Sequence, residues 1–279
     1  MNNRRVLISL IVILSIMCVS LISGMIILMN KDIGFSLGLT KKTHIVDTFE
    51  LHTSKVSELD FNLYSADVEI KEIDDDMITI DYYSDKETDK IISLENGRII
   101  VNEENSKTIC LGICFNSRKV VAYVPKDYIG IYNIVTRSGD VKFNIDTTQN
   151  SVDIKTTSGD IEIESTTKAK LQSTSGDITV KGEANVLNIK TTSGDIKVNK
   201  VSKTIDLSST SGSISVDTLS ITGDSNINSI SGNVNIKNNE SDCYVDYSTI
   251  SGDKVINKSN RKSDLTLKVI TISGDIKVN

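Results

Sequence analysis

Ser151-Val152-Asp153-Ile154-Lys155-Thr156-Thr157-Ser158-Gly159-Asp160-Ile161-Glu162-Ile163 is the stretch that decides the fold. Apolar residues alternate on both sides of a Ser-Gly-Asp corner, the period-two pattern of two short, half-buried strands. The same phrase returns with its glycine at Gly139, Gly159, Gly176, Gly194, Gly212, Gly232, Gly252 and Gly274, in steps of 20, 17, 18, 18, 20, 20 and 22 residues. A period near 20 residues marks stacked supersecondary units, each burying its apolar face on its neighbours.

The columns of this repeat are cleaner than the tripeptide. Four residues before each serine stand Ile134, Ile154, Leu171, Ile189, Leu207, Ile227, Tyr247 and Val269, all apolar or aromatic. Two before it stand Thr136, Thr156, Ser173, Thr191, Ser209, Ser229, Thr249 and Thr271, a hydroxyl in every copy. Positions two and four after the glycine are β-branched or aromatic, with Lys254 as the exception. Thr156 and Ile161 are five steps apart, so if both face the core the corner must absorb a change of parity. Glycine, which enters φ > 0 without a Cβ clash, suits that role. An early copy with alanine in the glycine place runs from Phe61 through Ser65-Ala66-Asp67 to Val68 and Ile70. These columns predict an all-β, single-chain β-solenoid (β-helix-like) of about nine coils with Ser-Gly-Asp corners.

Composition agrees. The chain has 279 residues, one proline (Pro125), no tryptophan and 5% aromatics, so its core is thin and built from Ile and Val. Formal net charge is −6, and the residues after Lys31 carry 28 basic and 37 acidic groups, a net of −9. That balance argues against nucleic acid or anionic lipid as a partner, because both are bound by clustered Lys and Arg.

Arg4 and Arg5 precede Val6–Met29, 24 residues without a charge. That run exceeds the roughly 20 residues a helix needs to span a bilayer, whereas the apolar region of a cleaved signal peptide is about 7–15 residues. Ile22-Ser23-Gly24 is a passable cleavage site, but the apolar run continues beyond it. Residues 1–31 therefore read as an uncleaved transmembrane signal-anchor. The two arginines predict the N-terminus in and the remainder outside the cytoplasmic membrane. Residues 32–44 read as a linker, 45–130 as irregular coils and 131–279 as the regular repeats. Ser15-Ile16-Met17 lacks the small residue that precedes a lipoprotein cysteine, so Cys18 reads as an apolar thiol.

Cys110 and Cys114 have no His or further Cys beside them, and a tetrahedral zinc site needs four ligands. Outside the cell a disulfide is permitted. In an extended strand the pair would lie about 13 Å apart, so a bond requires Leu111-Gly112-Ile113 to form a tight turn. Cys243 reads as a lone thiol.

The strand Val120-Val121-Ala122-Tyr123-Val124 ending in Pro125-Lys126, followed by repeated Ser-Gly-Asp-Ile-x-Val, resembles the bacterial putative-adhesin family of β-strand-repeat domains. That family includes the LiaG-like envelope proteins encoded beside stress-response systems. The resemblance covers roughly residues 45–279. It implies a β-solenoid-like domain of unknown function displayed at the cell envelope, and it brings no catalytic residue and no cofactor.

The residues offer little chemistry of their own. His44 and His52 are the only histidines, and no motif supplies a nucleophile for them. The strongest candidate is the acidic column Asp140, Asp160, Asp177, Asp195, Asp253 and Asp275, with Ser213 and Asn233 in the same place. On coils about 4.8 Å apart, such a ladder could hold Ca²⁺ or act on a polysaccharide. Ser, Gly and Asp are equally the residues whose side chains bond a turn's own backbone. The uncharged Ser213 and Asn233 favour that structural reading, so no metal or catalytic set is assigned. Asp74-Asp75-Asp76 lacks the oxygen spacing of calcium loops and reads as a turn.

The functional expectation is a non-enzymatic structural, binding or envelope-stress signalling module. The alternatives are a polysaccharide-binding adhesin or a polysaccharide-active β-helix enzyme, with glycan as a candidate ligand. The final coil, with Val269, Ile276 and Val278, is expected to leave an open edge for a second copy or an envelope protein.

Overall fold

The computed structural model describes residues 43–85, 91–103, 118–146 and 151–279, and the backbone alone at 34–36, 108–110 and Asp146. The signal-anchor, most of the linker, Cys114 and the side chain of Cys110 lie outside the described residues. Among the described residues no helix is long and apolar enough to cross a membrane.

The strands follow in chain order. First come β1 (Gly34–Ser36), β2 (His44–His52), β3 (Glu58–Asn62), β4 (Asp67–Ile73) and β5 (Met77–Ser84). Then come β6 (Ile92–Glu95), β7 (Arg98–Asn102), β8 (Thr108–Cys110) and β9 (Lys119–Pro125). The repeats supply β10 (Ile131–Val135), β11 (Val141–Asp146), β12 (Ser151–Lys155), β13 (Ile161–Ser173), β14 (Ile178–Thr191) and β15 (Ile196–Ser209). β16 (Ile214–Leu219), β17 (Ser225–Ser231), β18 (Val234–Asn239), β19 (Tyr244–Ser248), β20 (Lys254–Ile256), β21 (Thr266–Ser273) and β22 (Ile276–Val278) complete the chain.

The chain forms two compact units, Met1–Lys41 with Asn105–Phe115, and Lys42–Glu104 with Asn116–Asn279. In the first, β1 pairs parallel with β8. The second is the repeat stack. The strands before the corners form one parallel ladder, β7-β3-β10-β12-β13-β14-β15-β17-β21-β19. Those after the corners form another, β9-β4-β11-β13-β14-β15-β16-β18-β22-β20. The molecule is all-β, and β13, β14 and β15 belong to both ladders. They run from one face to the other through a register shift near Ile163–Thr166 and its counterparts. The segment that follows the second strand is therefore itself strand in those three coils.

The inward columns are in register. Ile134, Ile154, Leu171, Ile189, Leu207, Ile227 and Val269 follow one another, each 0% exposed. Thr156 and Ile161 both point inward, so the corner does absorb the parity change. The rings gather near the start of the stack, where Tyr132 packs edge-on against Phe143 with centroids 4.9 Å apart.

Two features differ from the sequence reading. The first concerns glycine. Positive φ occurs among corner glycines only at Gly252 and Gly274, at 154° and 156°, a backbone conformation that L side chains rarely adopt. The other corner glycines owe their identity to space, described below. The second concerns order. The stack does not follow the chain at either end. β3 and β4 lie between the β7/β9 rung and the β10/β11 rung. Likewise β21 and β22 lie between β17/β18 and β19/β20. Val269, Ile276 and Val278 are therefore buried, at 0%, 1% and 0% exposure, and do not form the open rung expected of them. That place belongs to β19 and β20. Lys254, the exception in its column, stands there, where an inward position already faces water.

Candidate functional site

The Ser-Gly-Asp corners stack into a continuous spine. A Cβ on any corner glycine would strike the carbonyl of the corner residue one rung along. Gly139 meets Ala66, Gly159 meets Gly139, Gly176 meets Gly159, and so on through Gly232, then Gly274 and finally Gly252. Glycine is required because consecutive rungs approach too closely for a side chain.

The hydroxyl column lies inside this spine. Ser173 Oγ accepts from the Gly176 N–H at 2.8 Å and donates to the Gly159 carbonyl at 3.3 Å. Thr191, Ser209, Ser229, Thr249 and Thr271 donate to the next rung's glycine carbonyl in the same way. All eight members of the column are buried. They are rung-to-rung fasteners and present no array to a ligand.

The acidic column is used similarly, although it is exposed. Asp140 Oδ1 accepts the Asp160 N–H at 2.9 Å, and Asp160 and Asp177 do the same for Asp177 and Asp195, each at 2.8 Å. Asp195 accepts from Ser213, Asn233 from Asp275, and Asp275 from Asp253. Asn233 serves as well as an aspartate because the task needs an oxygen and no charge. Among the described residues no group of three or more His, Cys, Asp or Glu could hold a metal ion. Asp177→Ala is expected to lower stability by about 1 kcal/mol, one hydrogen bond, and Asp177→Asn by much less. Thermal melts of both variants with and without Ca²⁺ check this. A calcium-dependent rise in Tm that Asp177→Asn abolishes would establish an ion ladder instead.

The two ends of the spine differ. At the Ala66 end the hydroxyl column is missing, because Leu63 stands in its place. Glu103 replaces it. Its Oε2 accepts the N–H groups of Tyr64, Ser65 and Ala66 at 2.9, 2.8 and 3.0 Å. Its Oε1 accepts from Ser65 Oγ at 3.1 Å and from Arg118 Nη1 at 2.6 Å. The side chains of Glu103 and Arg118 are only 3% and 11% exposed. Burial alone would push the Glu103 carboxyl up. The Ser65 N–H, the Arg118 guanidinium and the Ala66 and Tyr64 N–H groups outweigh it and hold the group below its ordinary value. Antiparallel strands finish this end, β6 on β7 and β5 then β2 on β9. Nothing in the sequence pairs Glu103 with Arg118, since 14 residues separate them and each reads as a surface charge.

At the Gly252 end, β19 and β20 pair only with β21 and β22 among the described strands. Ser259 Oγ accepts the Val245 N–H at 2.9 Å and blunts part of the edge. Beside that edge the residues just before the corner serines change character. Thr157, Thr174, Thr192 and Thr210 give way to Ile230, Ile272 and Ile250, which are 47%, 45% and 81% exposed. Tyr247 and Val255, also on this end rung, are 42% and 45% exposed. Cys243 is a buried free thiol, with Asn239 Nδ2 at 3.7 Å from its sulfur.

The Toastrack DUF4097 family model matches residues 56–279, all but the first part of the chain. The chain belongs to this family. The Toastrack match agrees with the resemblance to a family of β-strand-repeat domains of unknown function. No curated protein matches it. A solved structure described as a putative lipid binding protein, from Parabacteroides distasonis, is 16% identical, with a TM-score of 0.56 over 88% of this Toastrack chain and 100% of its own. One described as a putative adhesin, from Bacteroides fragilis, is 15% identical, with a TM-score of 0.46 over 87% and 99%. A third, described as a putative cell adhesion protein from Clostridium sporogenes, is 10% identical, with a TM-score of 0.31 over 85% and 98%. At 16% identity the likeness to the Parabacteroides distasonis structure is one of fold alone.

Proposed function

We propose that this Toastrack chain is a non-enzymatic module of the bacterial envelope, anchored by residues 1–31, with its repeat domain outside the cytoplasmic membrane. The repeat comprises nine corners, from Ala66 to Gly252, and acts as a rigid arm. It holds a binding surface at the Gly252 end, serving a structural, adhesive or stress-signalling role. One observation carries the reading. The polar columns that could do chemistry along the spine are occupied in hydrogen bonds between rungs, whereas Ile230, Ile272 and Ile250 form an exposed apolar strip at one end. Contiguous exposed apolar surface of this kind marks interaction sites.

Two experiments test it. Protease added to intact spheroplasts is expected to remove residues 32–279, and protection of that region would overturn the proposed topology. The full chain, used as bait on solubilised envelopes, is expected to retain partners that Ile250→Asp/Ile272→Asp loses by at least tenfold. Equal retention by a folded double variant would show that the strip is not the contact.

A further inference from the structure

The rung formed by β21 and β22 fills a slot that the chain leaves behind and then returns to occupy. After β18 the chain skips one position, builds β19 and β20, and only then inserts residues 266–279. The inserted segment is bound on both sides. On one side Thr271 Oγ1 donates to the Gly232 carbonyl at 3.0 Å and Asn233 Oδ1 accepts the Asp275 N–H at 2.8 Å. On the other, Thr249 Oγ1 donates to the Gly274 carbonyl at 3.0 Å and Asp275 Oδ1 accepts the Asp253 N–H at 2.8 Å. Without it, β17/β18 and β19/β20 face each other as two open edges one rung apart. The connection from β20 to β21, residues 257–265, is polar up to Leu265 and mostly exposed. Nine residues span up to about 30 Å when extended, far more than one rung.

From this geometry we infer that the slot is a strand-exchange site whose second occupant is residues 266–279 of another copy of this chain. Reciprocal exchange restores every pairing just described, because the incoming segment is identical to the one it replaces. Such swapping of an identical element is a direct route to dimers. The pairing Asn226↔Lys268 across β17 and β21 gives the test, since both side chains are exposed. Full-length Asn226→Cys and Lys268→Cys chains, each with Cys18, Cys110, Cys114 and Cys243 changed to Ser, are unfolded together at high concentration, refolded and oxidised. A dimer linked through positions 226 and 268 is expected, and it should be at least tenfold depleted when the two chains are refolded separately and then mixed. If jointly refolded chains stay unlinked, or link with equal yield after separate refolding, the inference fails. Because these variants could misfold, a second arm uses the unaltered chain, refolded with a biotinylated peptide of residues 265–279. Retention of this peptide, and loss of retention with Ile276→Lys/Val278→Lys in the peptide, is expected. Equal retention of both peptides, or of neither, overturns the proposal.

Discussion

Gly194→Ala is expected to destabilise the repeat stack by about 3 kcal/mol, the upper end of the range for overpacking. The new Cβ would lie 2.7 Å from the Gly176 carbonyl carbon and closer still to its oxygen. Backbone lines both sides of the contact, so no side chain can rotate away. The rungs must separate, and separation weakens the Asp195–Asp177 and Thr191–Gly176 hydrogen bonds together. Urea unfolding followed by circular dichroism measures the loss. Gly223→Ala is the internal control, since its Cβ would meet only the Thr204 Cγ2 methyl at 2.8 Å, the end of a side chain. A Gly194→Ala chain no less stable than Gly223→Ala would refute the account of the spine.

The second large effect is expected at Glu103. Glu103→Ala removes the acceptor of three backbone N–H groups and leaves Arg118 without its carboxylate. Breaking a buried ion pair from one side costs about 3–5 kcal/mol. The pH dependence has a definite sign. The Glu103 carboxyl is held below its ordinary value of 4.5 in the folded chain, so its contribution is fully present above that value. It is lost as pH falls through the lower folded value. Wild-type stability should therefore fall below pH 4.5 more steeply than that of Glu103→Gln. Parallel curves for the two chains would show that Glu103 is not held in its charged form by the corner.

Much of this fold is written in the sequence because the repeat fixes side-chain direction. The column from Ile134 to Val269 and the hydroxyl column behind it both face inward, as their alternation predicts. Ala66 could be placed at a corner from Phe61, Val68 and Ile70 alone. What the columns could not reveal is which rung touches which. Every rung offers its neighbours the same backbone edge and the same Ile or Val, so the order Gly232, Gly274, Gly252 is hidden among equivalent pairings. One signal was available. A lysine in an otherwise apolar column, Lys254, marks the rung with water on one side, since inward-pointing charges protect sheet edges. The reason for glycine was also hidden, because a corner that needs φ > 0 and a corner that excludes a Cβ ask for the same residue. The Glu103–Arg118 plug was illegible for a different reason. It belongs to no repeat, and it exists because Leu63 breaks the hydroxyl column at that rung.

The glycine spine also bears on how proteins of this kind can change length. From Gly139 to Gly232 each corner presents a bare carbonyl to one neighbour and a vacant Cβ position to the other, so interior units are interchangeable parts. Duplicating one unit of about 18 residues there would add a rung, and about 4.8 Å of reach, without disturbing any contact beyond its two neighbours. The terminal units have no such freedom. One is closed by Glu103 and the other is completed by residues drawn from further along the chain. Growth or shrinkage in this lineage should therefore be confined to the middle of the stack, with both tips inherited intact.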